Sequence, residues 1–214
     1  VPLFYQQNIN ATTQLAIWKI EEAEEFFLQK VPLHRMITHP NKRLQHLAGR
    51  YLLRYLFPDF PNHEILIADT RKPFLPDEQY HFSISHCGQY AAAIVSTDKR
   101  VGIDIEIPSQ RVASIRHKFL HPNELDGFQQ QETPDTRLLT ILWSAKEAMF
   151  KWWGLGEVDF REMMQIEPFE ARQQGIINAV FEREEGYAEL QLRYQLFEQL
   201  CLVWVISETG HFFV

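Results

Sequence analysis

The chain has 214 residues, 45% hydrophobic and 23% charged, enough to bury a full core as one large domain or two smaller halves and too apolar for a disordered segment. A formal net charge of -7, with no long run of Lys or Arg, argues against a general nucleic-acid binder, so an anionic ligand has to be met by a local cluster of cations. Cys87 and Cys201 make neither a metal signature nor a disulfide framework, no stretch reaches the ~18 apolar residues of a membrane span, and VPLFYQQNINATT has no basic flank leading into a long apolar run; a cytoplasmic, membrane-free protein is expected.

Taken in order, TTQLAIWKI at 12–20 reads as a strand and the acidic EEAEEFFLQ after it as a short helix. From Pro40 to Leu56, Leu44, Leu47, Tyr51 and Leu52 recur at helical spacing, and Pro58 stops the run. Arg43, Arg50 and Arg54 ride on this helix, on a face that is either solvated or turned to phosphate. YHFSIS, YAAAIVS and VGIDIEI, separated by His86-Cys87-Gly88-Gln89 and Thr97-Asp98-Lys99-Arg100, predict a three-stranded meander. Chain direction would then carry Ser85 and His86 to the same end of the sheet as Glu106.

On the third strand Val101, Ile103, Ile105 and Ile107 share a core face, while Gly102, Asp104 and Glu106 share the other. Two carboxylates about 7 Å apart make each other costlier to ionise unless a cation or donor lies between them. An edge strand with a wet outer face would carry the same pattern. A basic and apolar stretch follows, RVASIRHKFLHPNEL, then a polar loop, QQQETPD, expected to be mobile. Residues 136–153, TRLLTILWSAKEAMFKWW, predict a strong helix ended by Gly154, and strands are expected at 175–183, 187–194 and 200–207. The prediction is an α+β fold of two pseudo-symmetric halves, 1–107 and 108–214, each a three-stranded antiparallel sheet with packed helices, without a residue-level repeat.

On the second long helix Trp143, Glu147 and Phe150 fall at i, i+4 and i+7, which sets an acid in an apolar stripe with Lys151 one turn on. The pair is either an ordinary Glu–Lys helix pair or part of a site. If Glu147 packs beside Asp104 and Glu106, three carboxylates converge and call for a hard divalent cation such as magnesium, usually shared with a phosphorylated substrate. Lys151, Lys72, His86 and the arginine-bearing helix are natural phosphate partners.

FSISH at 82–86, GIDIE at 102–106 and WSAKEAMFK at 143–151, with Arg71-Lys72-Pro73 and AGRYLLRYL at 48–56, resemble the signature motifs of the 4'-phosphopantetheinyl transferase superfamily in order and spacing. The length resembles its monomeric, pseudo-dimeric, surfactin-synthetase-activating branch. The resemblance implies that Asp104, Glu106 and Glu147 hold Mg²⁺ with the pyrophosphate of coenzyme A and that Lys151 contacts the transferred phosphate. Lys72, Ser85, His86 and Arg50 would bind the nucleotide portion, with Lys42 and Arg43 as looser candidates.

The implied reaction moves 4'-phosphopantetheine from coenzyme A to a serine of an apo acyl or peptidyl carrier protein and releases adenosine 3',5'-bisphosphate. Glu147 is assigned the base, because its apolar neighbours should raise its proton affinity, and Glu124 in HPNEL is the second candidate. An acidic carrier would dock on Arg111, Arg116 and Lys118 around Val112, Ile115 and Phe119, unless that segment is only an amphipathic connector. The competing readings are a catalytically silent relative that binds coenzyme A or a carrier, and a magnesium-dependent nucleotide phosphohydrolase.

Overall fold

Strand alternation and helix periodicity resolve into an α+β fold in a computed structural model that describes residues 2–33, 36–128 and 135–208. The chain forms two compact units, Val1–Val101 and Gly102–Val214. In chain order the elements are β1 (Leu3–Asn8), β2 (Thr13–Lys19), α1 (Glu24–Leu28), α2 (Pro40–Leu56), β3 (Leu66–Ile67), β4 (Pro73–Phe74), β5 (His81–Cys87), β6 (Tyr90–Ser96) and β7 (Lys99–Glu106). They continue with α3 (Gln110–Ile115), α4 (Pro122–Phe128), α5 (Thr136–Trp153), β8 (Met164–Ile166), β9 (Gln174–Arg183), β10 (Gly186–Leu196) and β11 (Cys201–Glu208).

In the first unit the sheet order is β1-β2-β6-β5, and the three pairings are antiparallel. Pro40 at the start of α2 supplies the fixed φ that a first helical turn wants. Leu47, Ala48, Leu52, Leu53 and Leu56 of that helix form one core with Ala16, Trp18, Phe82, Ala91, Ala93 and Val95 of the sheet. Alanines on the sheet and Gly49 on the helix let the two layers approach. A Cβ at Gly49 would stand 2.6 Å from Ile84 Cγ2. β3 and β4 make a separate two-stranded ribbon.

The second unit holds a five-stranded sheet of order β7-β11-β10-β9-β8, with β8 to β11 paired antiparallel. Its core is α5, through Leu142, Ala145, Met149 and Trp152, against Ile177, Ala179, Phe181, Leu190, Leu192, Val203 and Val205. Each of the Leu, Ile, Val, Phe and Met side chains among these, fully buried, is worth roughly 1.5–3 kcal/mol. The Asp135 carboxylate caps the start of α5 by accepting from Arg137 N at 2.9 Å, and Gly154 closes it at φ 72°.

Three expectations change. The sheets have four and five strands rather than three each. The meander is a hairpin only: β5 and β6 pair, but β2 occupies the second edge of β6, so β7 has no place there and joins β11 instead. With that the argument from chain direction, which set Ser85 and His86 beside Glu106, loses its premise. Finally, Ile107 lies past the end of β7 and is exposed, while Gly102 and Asp104, on the face that could have been wet, are buried. The polar loop at 129–135 falls, up to residue 134, outside the described residues.

Candidate active site

The acid cluster lies within the second unit, on β7 and α5. Gly102 is what allows these two elements their separation. A Cβ there would stand 2.0 Å from the Ala148 carbonyl oxygen and 2.8 Å from Trp152 N, both backbone atoms of α5. Two residues on, Asp104 is buried, and its Oδ1 accepts from Lys151 Nζ at 2.6 Å. Gly102→Ala is therefore expected to push β7 off α5 at a cost of about 1–3 kcal/mol or more, the range for overpacking. A calorimetric Tm for the variant equal to that of the parent would contradict this reading.

Glu147 is half-buried on the same helix. One turn to either side, Trp143 and Phe150 both pack on Phe160, at ring-centroid distances of 6.0 and 5.6 Å, so the acid sits in an aromatic stripe as its spacing suggests. Burial pushes its carboxyl up to about 7; Lys151 pulls it back down, and the charges of Asp104 and Glu106 add to the rise. The four side chains thus share one local field. Among the described residues, however, no group of three or more His, Cys, Asp or Glu side chains is arranged to hold a metal ion. As folded, the cation on Asp104 is the Lys151 ammonium, and the implied magnesium cage is not preformed.

Glu124 is a different kind of acid. It is buried, and its Oε2 accepts from Lys146 Nζ at 2.6 Å and from His121 N at 2.8 Å, while Oε1 accepts from Ile166 N at 2.8 Å. Lys146 also donates to the Phe160 and Met164 carbonyls, at 2.9 and 2.7 Å. This pair ties α4, α5 and β8 together, with all three donors of the Lys146 ammonium and both carboxylate oxygens of Glu124 engaged in the fold.

Of the basic stretch after β7, Val112 and Phe119 belong to the buried core, whereas Arg111, Arg116 and Lys118 are exposed. The apolar part of the expected docking surface is thereby reduced to the half-buried Ile115.

The first unit contributes a cavity of about 390 Å³. Lys42, His46 and Arg50 reach it from α2 at i, i+4 and i+8, joined by Arg71 and His86, and its apolar wall is Ile37, Ile67, Pro73 and Ile84. Of the nucleotide-binding candidates, Arg50, His86 and Lys42 meet here. Ser85 is buried and alternates to the opposite face of β5. Lys72 is also outside the lining; burial, then Arg100, lower its ammonium to about 8 against the pull of Glu78. Arg43 turns instead to Glu24, Nε to Oε2 at 2.8 Å, and to the Ile37 carbonyl. His46 is not singled out by the sequence, and Arg71 enters it only as part of the Arg71-Lys72-Pro73 motif, without a binding role. The four-residue ladder from Lys42 to Arg50 is the signal that would have found His46.

Residues 100–205, which include β7 from Arg100 on, α5 and both acid-bearing motifs, match the family model of the 4'-phosphopantetheinyl transferase superfamily. Over that span the chain is a member of the superfamily. Among curated proteins it is similar to enterobactin synthase component D of Salmonella austin, 35% identical over 111 residues that make up 51% of this chain and 47% of the relative. The corresponding protein of Escherichia coli (strain K12) is 32% identical over 126 residues, 56% of this chain and 60% of the relative. The 4'-phosphopantetheinyl transferase gsp of Aneurinibacillus migulanus is 34% identical over 113 residues, 51% and 46%. The chain thus spans about half the length of the curated relatives it matches.

Proposed function

We propose that this chain transfers 4'-phosphopantetheine from coenzyme A to a serine of an apo acyl or peptidyl carrier protein, as a monomeric enzyme of the surfactin-synthetase-activating branch. The observation that carries the reading is Glu147 held in one field with Asp104, Glu106 and Lys151, inside the matched region. A carboxylate with its pKa near 7 is matched to accepting the serine proton at neutral pH. Lys151, one turn on, would lend its charge to the phosphate being transferred.

The first unit's cavity fits the nucleotide end of coenzyme A. Five cationic or imidazole side chains suit a phosphate, and the wall of Ile37, Ile67, Pro73 and Ile84 suits a base. Exposed Arg111, Arg116 and Lys118 are the local cations that an acidic carrier needs in a partner of net charge -7. No helix among the described residues is long and apolar enough to cross a membrane, and the cytoplasmic assignment remains part of this proposal.

Incubated with an apo carrier, coenzyme A and Mg²⁺, the chain is expected to add one phosphopantetheine group to the carrier, read by intact-mass spectrometry. Cleaved coenzyme A beside an unmodified carrier would make it a hydrolase. Intact coenzyme A across a panel of unmodified apo carriers would make it a silent binder. Either result overturns the reading.

A further inference from the structure

The first unit holds a second cavity, of about 470 Å³, that plays no part in the proposed transfer. Its size is that of a small-molecule site. Tyr51, Arg54 and Tyr55 reach it from the last two turns of α2, at i, i+3 and i+4, and Gln29, Lys30 and Pro58 complete the lining. The two phenol rings are braced from behind. Tyr51 stands edge-on to Trp18, Phe26 and Phe27, at centroid distances of 5.1, 5.5 and 5.7 Å. Tyr55 packs on Trp18 at 5.6 Å, and its hydroxyl donates to Gln6 Oε1 at 3.3 Å. In a chain of net charge -7 this lining carries two cations and no acid, and among the described residues neither Lys30 nor Arg54 makes an ion pair. Lys30 Nζ lies over the Phe26 ring, 4.8 Å from its centroid. Arg54 donates one long bond, Nη1 to the Lys30 carbonyl at 3.4 Å, and keeps the rest of its planar fork.

We propose that this cavity binds a small planar aromatic carboxylate, its ring on Tyr51 and Tyr55 and its two oxygens on the Arg54 guanidinium, with Lys30 adding positive charge. Aromatic rings favour a flat aromatic partner beyond the area they bury, and the guanidinium fork matches a carboxylate bidentately. The position of the cavity selects the charge of the anion. It lies at the C-terminal end of α2, where the helix carries a partial negative charge, so a phosphate dianion meets more opposition there than a singly charged group. A basic residue in the last turn also serves the helix dipole, but that role requires neither a cavity nor two braced rings beside it.

Naphthalene-2-carboxylate, titrated onto the whole chain in a calorimeter, is expected to bind saturably at one site. Naphthalene-2-carboxamide, which keeps the ring and loses the charge, and cyclohexanecarboxylate, which keeps the charge and loses the flat ring, should each bind about tenfold more weakly or worse. Arg54→Gln should weaken the carboxylate about tenfold and leave the carboxamide unchanged. Tyr55→Ala should weaken both, and Tyr55→Leu, which keeps more of the side-chain volume, gives the second reading if the alanine variant folds poorly. Absence of saturable binding, or equal affinity in the parent and Arg54→Gln, overturns the proposal. So does binding that survives in Arg54→Gln but is lost in Lys42→Gln and displaced by coenzyme A, which would put the ligand in the other cavity. Tighter binding of 2-naphthyl phosphate than of the carboxylate overturns the assignment of the anion.

Discussion

Lys146→Met is expected to destabilise the second unit by about 3–5 kcal/mol, the cost of leaving one partner of a buried ion pair without the other. The ammonium is fully buried and meets three acceptors, the Glu124 carboxylate at 2.6 Å and two backbone carbonyls. Burial lowers the pKa of Lys146, and the neighbouring Glu124 opposes that shift. Methionine fills a similar volume but donates nothing. The carboxylate would then stay buried with only the His121 and Ile166 amides. Adding Glu124→Gln removes the stranded charge and should recover 1 kcal/mol or so, because an amide oxygen still accepts from one of those backbone N–H groups. Urea denaturation followed at constant m-value measures both. A single variant within about 1 kcal/mol of the parent would show that the pair is dispensable.

Under the proposed function Glu147→Gln should abolish transfer, and it should also stabilise the ligand-free protein at alkaline pH. The folded carboxyl titrates near 7 against an ordinary value of 4.5, raised first by burial. Between those pH values the native state holds a proton that the unfolded state has lost, so stability falls as pH rises through this window and levels off above it. The loss is on the order of 3 kcal/mol. Glutamine carries no such penalty. The difference in Tm between variant and parent should therefore be small near pH 4.5 and favour the variant at pH 8. Burial lowers the His81 pKa from 6.5, which makes stability rise with pH over part of the same range. Taking the difference between the two proteins cancels that contribution. A Tm difference that does not change with pH would mean that Glu147 ionises as freely in the fold as in water.

The long elements were legible in the sequence. Pro40 and Pro58 bracket α2, Gly154 closes α5, and alternation with turn residues marks β9, β10 and β11, all within a residue or two. The short ones were not. In LFYQQN only half the residues are apolar, which hides an edge strand, while β3 and β4 have two residues each and β8 three, too few to show a period. The failed meander has a different cause. Adjacent strands usually pair, but β2, arriving from more than 70 residues upstream, covers the edge of β6 that β7 would have used.

The sequence by itself determined the chemistry on offer: which side chains could hold a proton or a phosphate, and that Glu147 belongs to an apolar stripe, because spacing along a helix or strand is a local property. Only the tertiary structure decided which acid does what. Glu124 and Glu147 look alike as residues, yet one is held by Lys146 and two amides while the other is half-buried with its pKa near 7. That difference comes from long-range packing, as does the grip of Lys151 on Asp104, which exists because Gly102 lets a strand and a helix from distant parts of the chain meet without a side chain between them.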